Sequence, residues 1–552
     1  MRRGRGPILV VAPHAALRAN DLPNQRANDL HTGAVAEALA ERLDGSAIVN
    51  DKIDRNLLDL NRTSTIRKRA SWFADALQEL LCEILGRHDA ACVVFVHGWH
   101  VMQPRCDIGV GARMESVAEA SDCARSLTAS PAWLAECAEP FRGACARLGV
   151  RATYGERWPA AHPNNFVQIF RRTPRGGEAG ALAALAEHAA ADRVEAVQLE
   201  LGAPLRWPGR LRDAFVGALA DALRCAAANR GDASEGASAS GRASLAGSAT
   251  SGAEAEAARS PPPVESASAA VSARGPLATS RAAQPTSQET RVPRRHVALQ
   301  LFDPRDGGAG FGLVAGIAHL PDGDTGARLL LFLGGKRMAI FIGHERGHGD
   351  LAVAGLRVDP ASDGFELRFR GFALLAQDGS RYFADERSQG EAVLTEVDAA
   401  LAYRRLGADG YGRATGRVAI GDEVIDVAAL GFTAPLLVPP RGSAVGQTRA
   451  LACFGPELAI VAETASDSSC IDGSGRSLLG AAHRLDGHTA DGFVLAFADG
   501  RRLGCRPESA IRLWRPVDEK TSVRVTFGLA RFRWSDGDEG GGFYEHVEHA
   551  DG

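Results

Sequence analysis

Residues 91–97 read ACVVFVH, a run of β-branched and apolar residues that ends on a histidine. Such a run, bounded by polar residues, reads as a buried β-strand. Upstream, ILVVA at 8–12 has the same character and leads into His14. Between the two runs lie helical patterns, from Thr32 to Leu43 and over a long amphipathic stretch from Ile66 to Leu85. Strands followed by helices of this length predict an α/β fold, a mixed sheet with parallel neighbours and flanking helices. Downstream, NFVQIF at 165–170 and EAVQLEL at 195–201 read as further strands. Open α/β sheets collect ligands at the carboxyl ends of their strands, which is where His14, His97 and Glu200 fall.

Beyond this region the pattern changes. From Gly231 to about Arg294 the composition collapses into Ala, Ser, Gly, Pro and Thr, with almost nothing large and apolar to bury, so 231–294 is expected to be a disordered linker. It divides residues 1–230 from residues 295–552. The second part shows alternating strands broken by Gly and Asp turns, as in ARLLLFLGGKRMAIFIG at 327–343 and GFELRFRGFALLAQDGSRYF at 364–383. Turns at these intervals predict an all-β antiparallel sandwich or barrel, with Glu391 to Ala402 read as another strand pair.

The 552 residues carry 63 basic and 67 acidic side chains, a net charge of −4 that provides no large field of one sign. Neither nucleic acid nor a membrane surface is the expected partner; a small molecule is. Ten cysteines without CxxC pairs, and a first apolar run of only about five residues, fit a cytoplasmic protein with reduced thiols. No apolar stretch approaches the roughly 20 residues of a membrane span.

Chemistry is concentrated in the first region. A strand-end histidine is a natural zinc ligand, because the sheet fixes its direction and neutral imidazole binds borderline metals. His14 and His97 qualify, with a third ligand to come from Asp21, Asp29, His31, His100 or Asp107. Between them runs DKIDRNLLDLNR at 51–62, whose Arg55 and Arg62 offer planar forks for a carboxylate and a developing oxyanion. In VQLE, Gln198 and Glu200 share one face of their strand, and Glu200 is placed to move a proton. The segment YGERWPAAHPNNFVQIFRR at 154–172 and the run VMQPRCDIGVGAR at 101–113 offer Arg157 and Arg113 as pocket-lining residues. His344, His348, His546 and His549 stand in Gly-rich or acidic surroundings and read as solvated.

Taken together, Pro13-His14, Asp29-Leu30-His31, Asp59-Leu60-Asn61-Arg62, the strand ending at His97 and Val197-Gln198-Leu199-Glu200 resemble, over about residues 7–225, the N-formylglutamate amidohydrolase family of the zinc carboxypeptidase and desuccinylase fold. The resemblance implies Zn²⁺ held by His14, His97 and an acid, with Asp29 as the choice. It further implies Glu200 as proton carrier, Arg55 at the oxyanion, and Asn61 with Arg62 on the carboxylate of an N-acyl amino acid or small peptide. Leu17 stands where related HxxE enzymes have a glutamate ligand. That departure keeps a second reading open, a catalytically degenerate hydrolase fold that binds a small ligand or acts as a scaffold. GRVAIGDEVIDVAALGF at 416–432 is similar to a strand-turn-strand of lipocalin-like domains of the hydroxyneurosporene synthase-like kind. Their Arg-Asp-His-Ser-Trp-Gly signature is missing, so this region is read as a binding or positioning module.

Overall fold

The computed structural model describes residues 1–18, 25–174, 176–243, 296–303, 310–319, 324–346, 351–406, 410–433, 447–464, 467–472, 475–486, 492–516 and 522–548. Six strands form the first sheet: β1 (Ile8–Ala12), β2 (Ser46–Val49), β3 (Ala91–Gly98), β4 (Arg105–Gly109), β5 (Arg151–Thr153) and β6 (Val194–Leu201), in the order β2-β1-β3-β6-β4-β5. The first four of that order run parallel, and β4 turns antiparallel to β6, which makes the sheet mixed.

The continuous apolar runs follow from burial on both faces. Ile8, Val10, Val94 and Val96 face one core with Val35, Leu39 and Phe215, while Leu9, Val11, Val93 and Phe95 face another with Phe73, Leu77 and Leu81. Helix α1 (Thr32–Arg42) serves the first core, and α3 (Ser71–Leu85), after the short α2 (Thr63–Arg69), serves the second. The amphipathic stretch from Ile66 is thus two helices, broken at Ala70. The expected strand at 165–170 is a 3₁₀ helix, Phe166–Phe170, because the Asn165 side chain accepts from the Val167 N–H and starts a helical turn. Helices α4 (Glu139–Arg147), α5 (Ala181–Ala190) and α6 (Arg210–Ala243) complete this part. Of the expected linker, residues 231–243 belong to α6, and the remainder lies outside the described residues.

The second region is antiparallel throughout. Ten strands form one sheet: β7 (His296–Asp303), β8 (Phe311–His319), β9 (Asp324–Leu333), β10 (Met338–Arg346), β11 (Ala352–Val353), β12 (Leu356–Ala361), β13 (Gly364–Ala376), β14 (Val393–Arg405), β15 (Tyr411–Ile420) and β16 (Glu423–Phe432). A pairing of β10 with β13, from Met338↔Ala376 to Ile340↔Leu374, closes part of it into a barrel. Nine further strands between Thr448 and Glu548 form a second sheet. The expected strand pair at 391–402 is instead the end of a short helix and one strand: α7 (Gly379–Ala384) and α8 (Glu386–Glu391) lie before β14.

The described residues of 1–230 and 296–548 belong to one compact unit. Within that unit the barrel core takes in Leu30, Met102, Ala203 and Trp207 of the α/β region. Among the described residues, no helix is long and apolar enough to cross a membrane.

Candidate metal centre

His14 follows β1 and His97 is the penultimate residue of β3, so two adjacent parallel strands deliver both rings to one edge of the sheet. Asp29 is delivered by the turn before α1, where its N–H donates to the His14 carbonyl at 2.8 Å and its own carbonyl accepts from Thr32 Oγ1 at 2.6 Å. His31 completes that turn at φ 65°, a left-handed conformation in which histidine is one of the better tolerated side chains. Gly98 makes room beside it. A Cβ there would stand 2.5 Å from Arg206 Nη1 and 3.1 Å from Asp29 Cβ.

The result is a buried His14, Asp29 and His97 cluster whose ligand atoms lie within 4.8 Å of one another. Nδ1 of His14 is 3.3 Å, and Nδ1 of His97 3.1 Å, from the same oxygen, Asp29 Oδ2. A tetrahedral ion with ligand bonds of about 2.0–2.1 Å has ligand-to-ligand edges of about 3.3 Å, so these three groups could hold a metal ion. The far side of His14 supports the same role. Its Nε2 lies 2.8 Å from Asp59 Oδ1, the carboxylate-to-histidine contact that fixes a ligating ring and leaves Nδ1 for the metal.

Burial alone would raise the Asp29 carboxyl, but the hydrogen bonds and charges of His14 and His97 outweigh it and hold the group well below the usual carboxylate range. Asp59 is lowered in the same way, burial being overcome by His14 and Arg55. Burial lowers His97, which favours the neutral imidazole that binds metals. Arg55 reaches in at 3.3 Å from Asp29 Oδ1 and also donates to the Ala27 carbonyl.

Glu200 is the register partner of His97 on β6. Gln198 holds its Oε1 at 2.8 Å and is itself held by Asn165 Nδ2 at 3.0 Å, so the shared strand face expected of Gln198 and Glu200 is used. Burial pushes the Glu200 carboxyl well above its ordinary value, Asp29 adding to the effect and Arg55 opposing it. Asn61 and Arg62 are pinned to the same segment, through Phe166 N–H on the Asn61 carbonyl and a bridge between Arg62 and Asn165. Arg62 also ion-pairs with Asp59 at 3.5 Å. Three buried polar atoms of this site have no hydrogen-bond partner: Arg55 Nε, Asn61 Oδ1 and His97 Nε2. Buried polar atoms left without a partner are few in folded proteins, and each calls for an explanation.

Not every expected residue joins the cluster. Arg113 and Arg157 line a separate cavity, to which none of His14, Asp29, His97, Arg55 and Glu200 contributes. Asp107 spends its carboxylate on the backbone N–H groups of Glu156, Arg157 and Trp158 and on Thr153 Oγ1. His31 lies near the Gly390 carbonyl and the Trp207 ring; His100, pushed down to about 4 by burial and the nearby Arg206 charge, is not among the converging ligands; and Asp21 lies outside the described residues. Leu17 is 41% exposed and takes no part.

Three contributors were not nominated from sequence. Asp59 was visible only as the first letter of the Asp-Leu-Asn-Arg run. Arg206, fully buried, ties together the carbonyls of Leu30, Trp99 and Leu201, and nothing local distinguishes it from other arginines. Glu386 comes from α8. Its Oε1 accepts the Asn28 N–H at 2.8 Å and its Oε2 accepts the Arg18 N–H at 2.7 Å, and it pairs with the Arg18 guanidinium. The residue next to Asp29 is therefore held by a carboxylate 358 positions away.

No family model matches the chain, and no curated protein matches it in sequence. Among solved structures, N-formylglutamate amidohydrolase from Ralstonia eutropha JMP134 aligns over 42% of this chain and 97% of its own, at 14% identity and a TM-score of 0.29. Kievitone hydratase from Nectria haematococca aligns over 46% of this chain and 89% of its own, at 10% identity and a TM-score of 0.28.

Proposed function

We propose that this protein is a zinc-dependent hydrolase of the amide bond in a carboxylate-bearing N-acyl amino acid or small peptide, similar in chemistry to N-formylglutamate amidohydrolases. The observation that carries the reading is the convergence of two histidine Nδ1 atoms on one oxygen of Asp29, with Asp59 behind His14 and Glu200 beside His97. His14, His97 and Asp29 would hold the ion. Zinc in such a site supplies Lewis-acid polarisation of the scissile carbonyl and a water acidified toward a pKa of about 7.

The chain's own groups supply the rest. Glu200 takes the proton of the attacking water and returns it to the leaving nitrogen; its raised affinity for protons suits that double role. Gln198, fixed by Asn165, orients one oxygen of that carboxylate. Arg55, whose Nε is buried without a partner, presents a guanidinium to the oxygen that gains charge in the transition state. Arg62 and the unpaired Asn61 Oδ1 side meet the carboxylate and amide of the substrate's amino-acid half.

The test is turnover of a panel of N-acyl amino acids by zinc-loaded protein beside a Glu200→Gln variant. Hydrolysis lost in the variant at unchanged metal content is the expected result. Full turnover by the variant would remove Glu200 from proton transfer, and a panel with no hydrolysis at all would leave the ligand-binding reading in its place.

A further inference from the structure

The metal centre leaves unused a second cavity of about 330 Å³, at the low end of the roughly 300–1,000 Å³ of small-ligand pockets. It lies between the 155–159 loop of the α/β region and the ends of β9 and β10, where Met102 N–H donates to the Ile342 carbonyl and Gln103 accepts from the His344 N–H.

Four guanidiniums line it, those of Arg105, Arg113, Arg157 and Arg346, against two carboxylates, Glu156 and Asp324. Both carboxylates are already engaged. Glu156 binds Arg105 at 3.1 Å and Arg151 at 3.0 Å, while Asp324 pairs with Arg157. The Arg113 side chain makes no hydrogen bond or ion pair with any described residue, and the Arg346 guanidinium makes one, from Nη1 to the Glu156 carbonyl at 3.4 Å. Arg105 forms the floor, its side chain only 5% exposed, its charge 5.0 Å from the Trp99 ring centre and its Nε without a partner. A half-buried cavity that keeps two guanidiniums beyond its carboxylates is favourable to an anion, which gains charge-assisted bonds and relieves the mutual repulsion of the arginines.

We propose that this cavity binds a small dianion, either a dicarboxylate or a phosphate group, gripped by Arg113 and Arg346 over the Arg105 and Trp99 floor. The charge matches the two guanidiniums left over, and the planar forks match either oxyanion. The site is independent of the metal-centre reading, since no metal-centre residue lines it.

Calorimetric titration of the full chain with succinate and with inorganic phosphate, at constant ionic strength, tests this. One saturable site per chain is expected for at least one probe; succinate alone identifies a dicarboxylate site and phosphate alone a phosphate site. Arg113→Ala and Arg346→Ala should each weaken binding about tenfold or more, the change expected for one lost charge-assisted contact. Both side chains are exposed, so the variants should melt like the parent, and Arg113→Lys should restore charge without the fork and recover binding only in part. Binding should persist in a His14→Ala, His97→Ala variant. Absence of saturable binding by both probes, binding indifferent to the arginine substitutions, or binding lost with the two histidines would each overturn the proposal.

Discussion

In the α/β region, His14, His97 and Glu200 at strand ends are buried together with Asp29 from the turn before α1, whereas the β region fills its barrel with Leu, Ile, Phe and Ala. Gln300 is one of the polar groups buried there, and the His546 ring meets Thr448 Oγ1 at 2.9 Å on the neighbouring strand. Isolated polar groups of this sort belong to folding; titratable groups that share partners perturb one another and can do chemistry. The β region meets the metal centre by other means. It presents Glu386 to the segment that carries Asp29, and the Gly390 and Ala392 carbonyls to His31 and to Trp207 Nε1.

That contrast can be broken in several places. The largest effect is expected at Glu200→Gln, which should lower kcat by about 10²–10⁴-fold while the bound metal stays constant. Arg62→Ala comes next, with KM raised about tenfold to a hundredfold and kcat little changed, as expected for loss of a charged contact to the substrate. If kcat falls instead and KM holds, Arg62 acts through Asp59 and not on the substrate.

Glu386→Ala asks whether the β region matters to the centre at all. Leaving the Asn28 N–H unmatched should cost about 1–3 kcal/mol of stability, and zinc affinity measured by chelator competition should fall with it. Unaltered affinity would reduce this contact to packing. A subtler check uses pH on metal-stripped protein. Because the folded Glu200 carboxyl is raised, the stability it contributes is complete below the unfolded value of about 4.3 and is lost as pH rises through its folded value. The melting temperature of Glu200→Gln should therefore gain on the parent with rising pH; a difference constant with pH contradicts the upward shift. Smallest of all, His546→Ala should cost about 1 kcal/mol of stability and leave metal content and turnover untouched.

The strands around the site were legible because burial on both faces forces unbroken apolar runs, as at 8–12 and 91–97. The same signal misled at 165–170, where the four apolar residues of NFVQIF coil into a 3₁₀ turn because Asn165 caps it. His546, expected in solvent, is buried on the last strand: the Gly and acidic residues around it mark a tightly paired hairpin, not an exposed tail. His348 and His549 lie outside the described residues. His14, Asp29, His97 and Glu200 were nominated from their places at strand ends and in a motif. Glu386 was not, since no local pattern reports a contact made across hundreds of residues, and Arg113 and Arg157 could be recognised as pocket residues without revealing which pocket.

The most direct measurement is the metal content of the purified full chain beside a His14→Ala, His97→Ala double variant. About one zinc per chain, lost in the double variant while the fold is retained, is the result expected of a tetrahedral site with three protein ligands. Zinc absent from the parent even after loading, or retained in full by the variant, would contradict a metal centre at these residues.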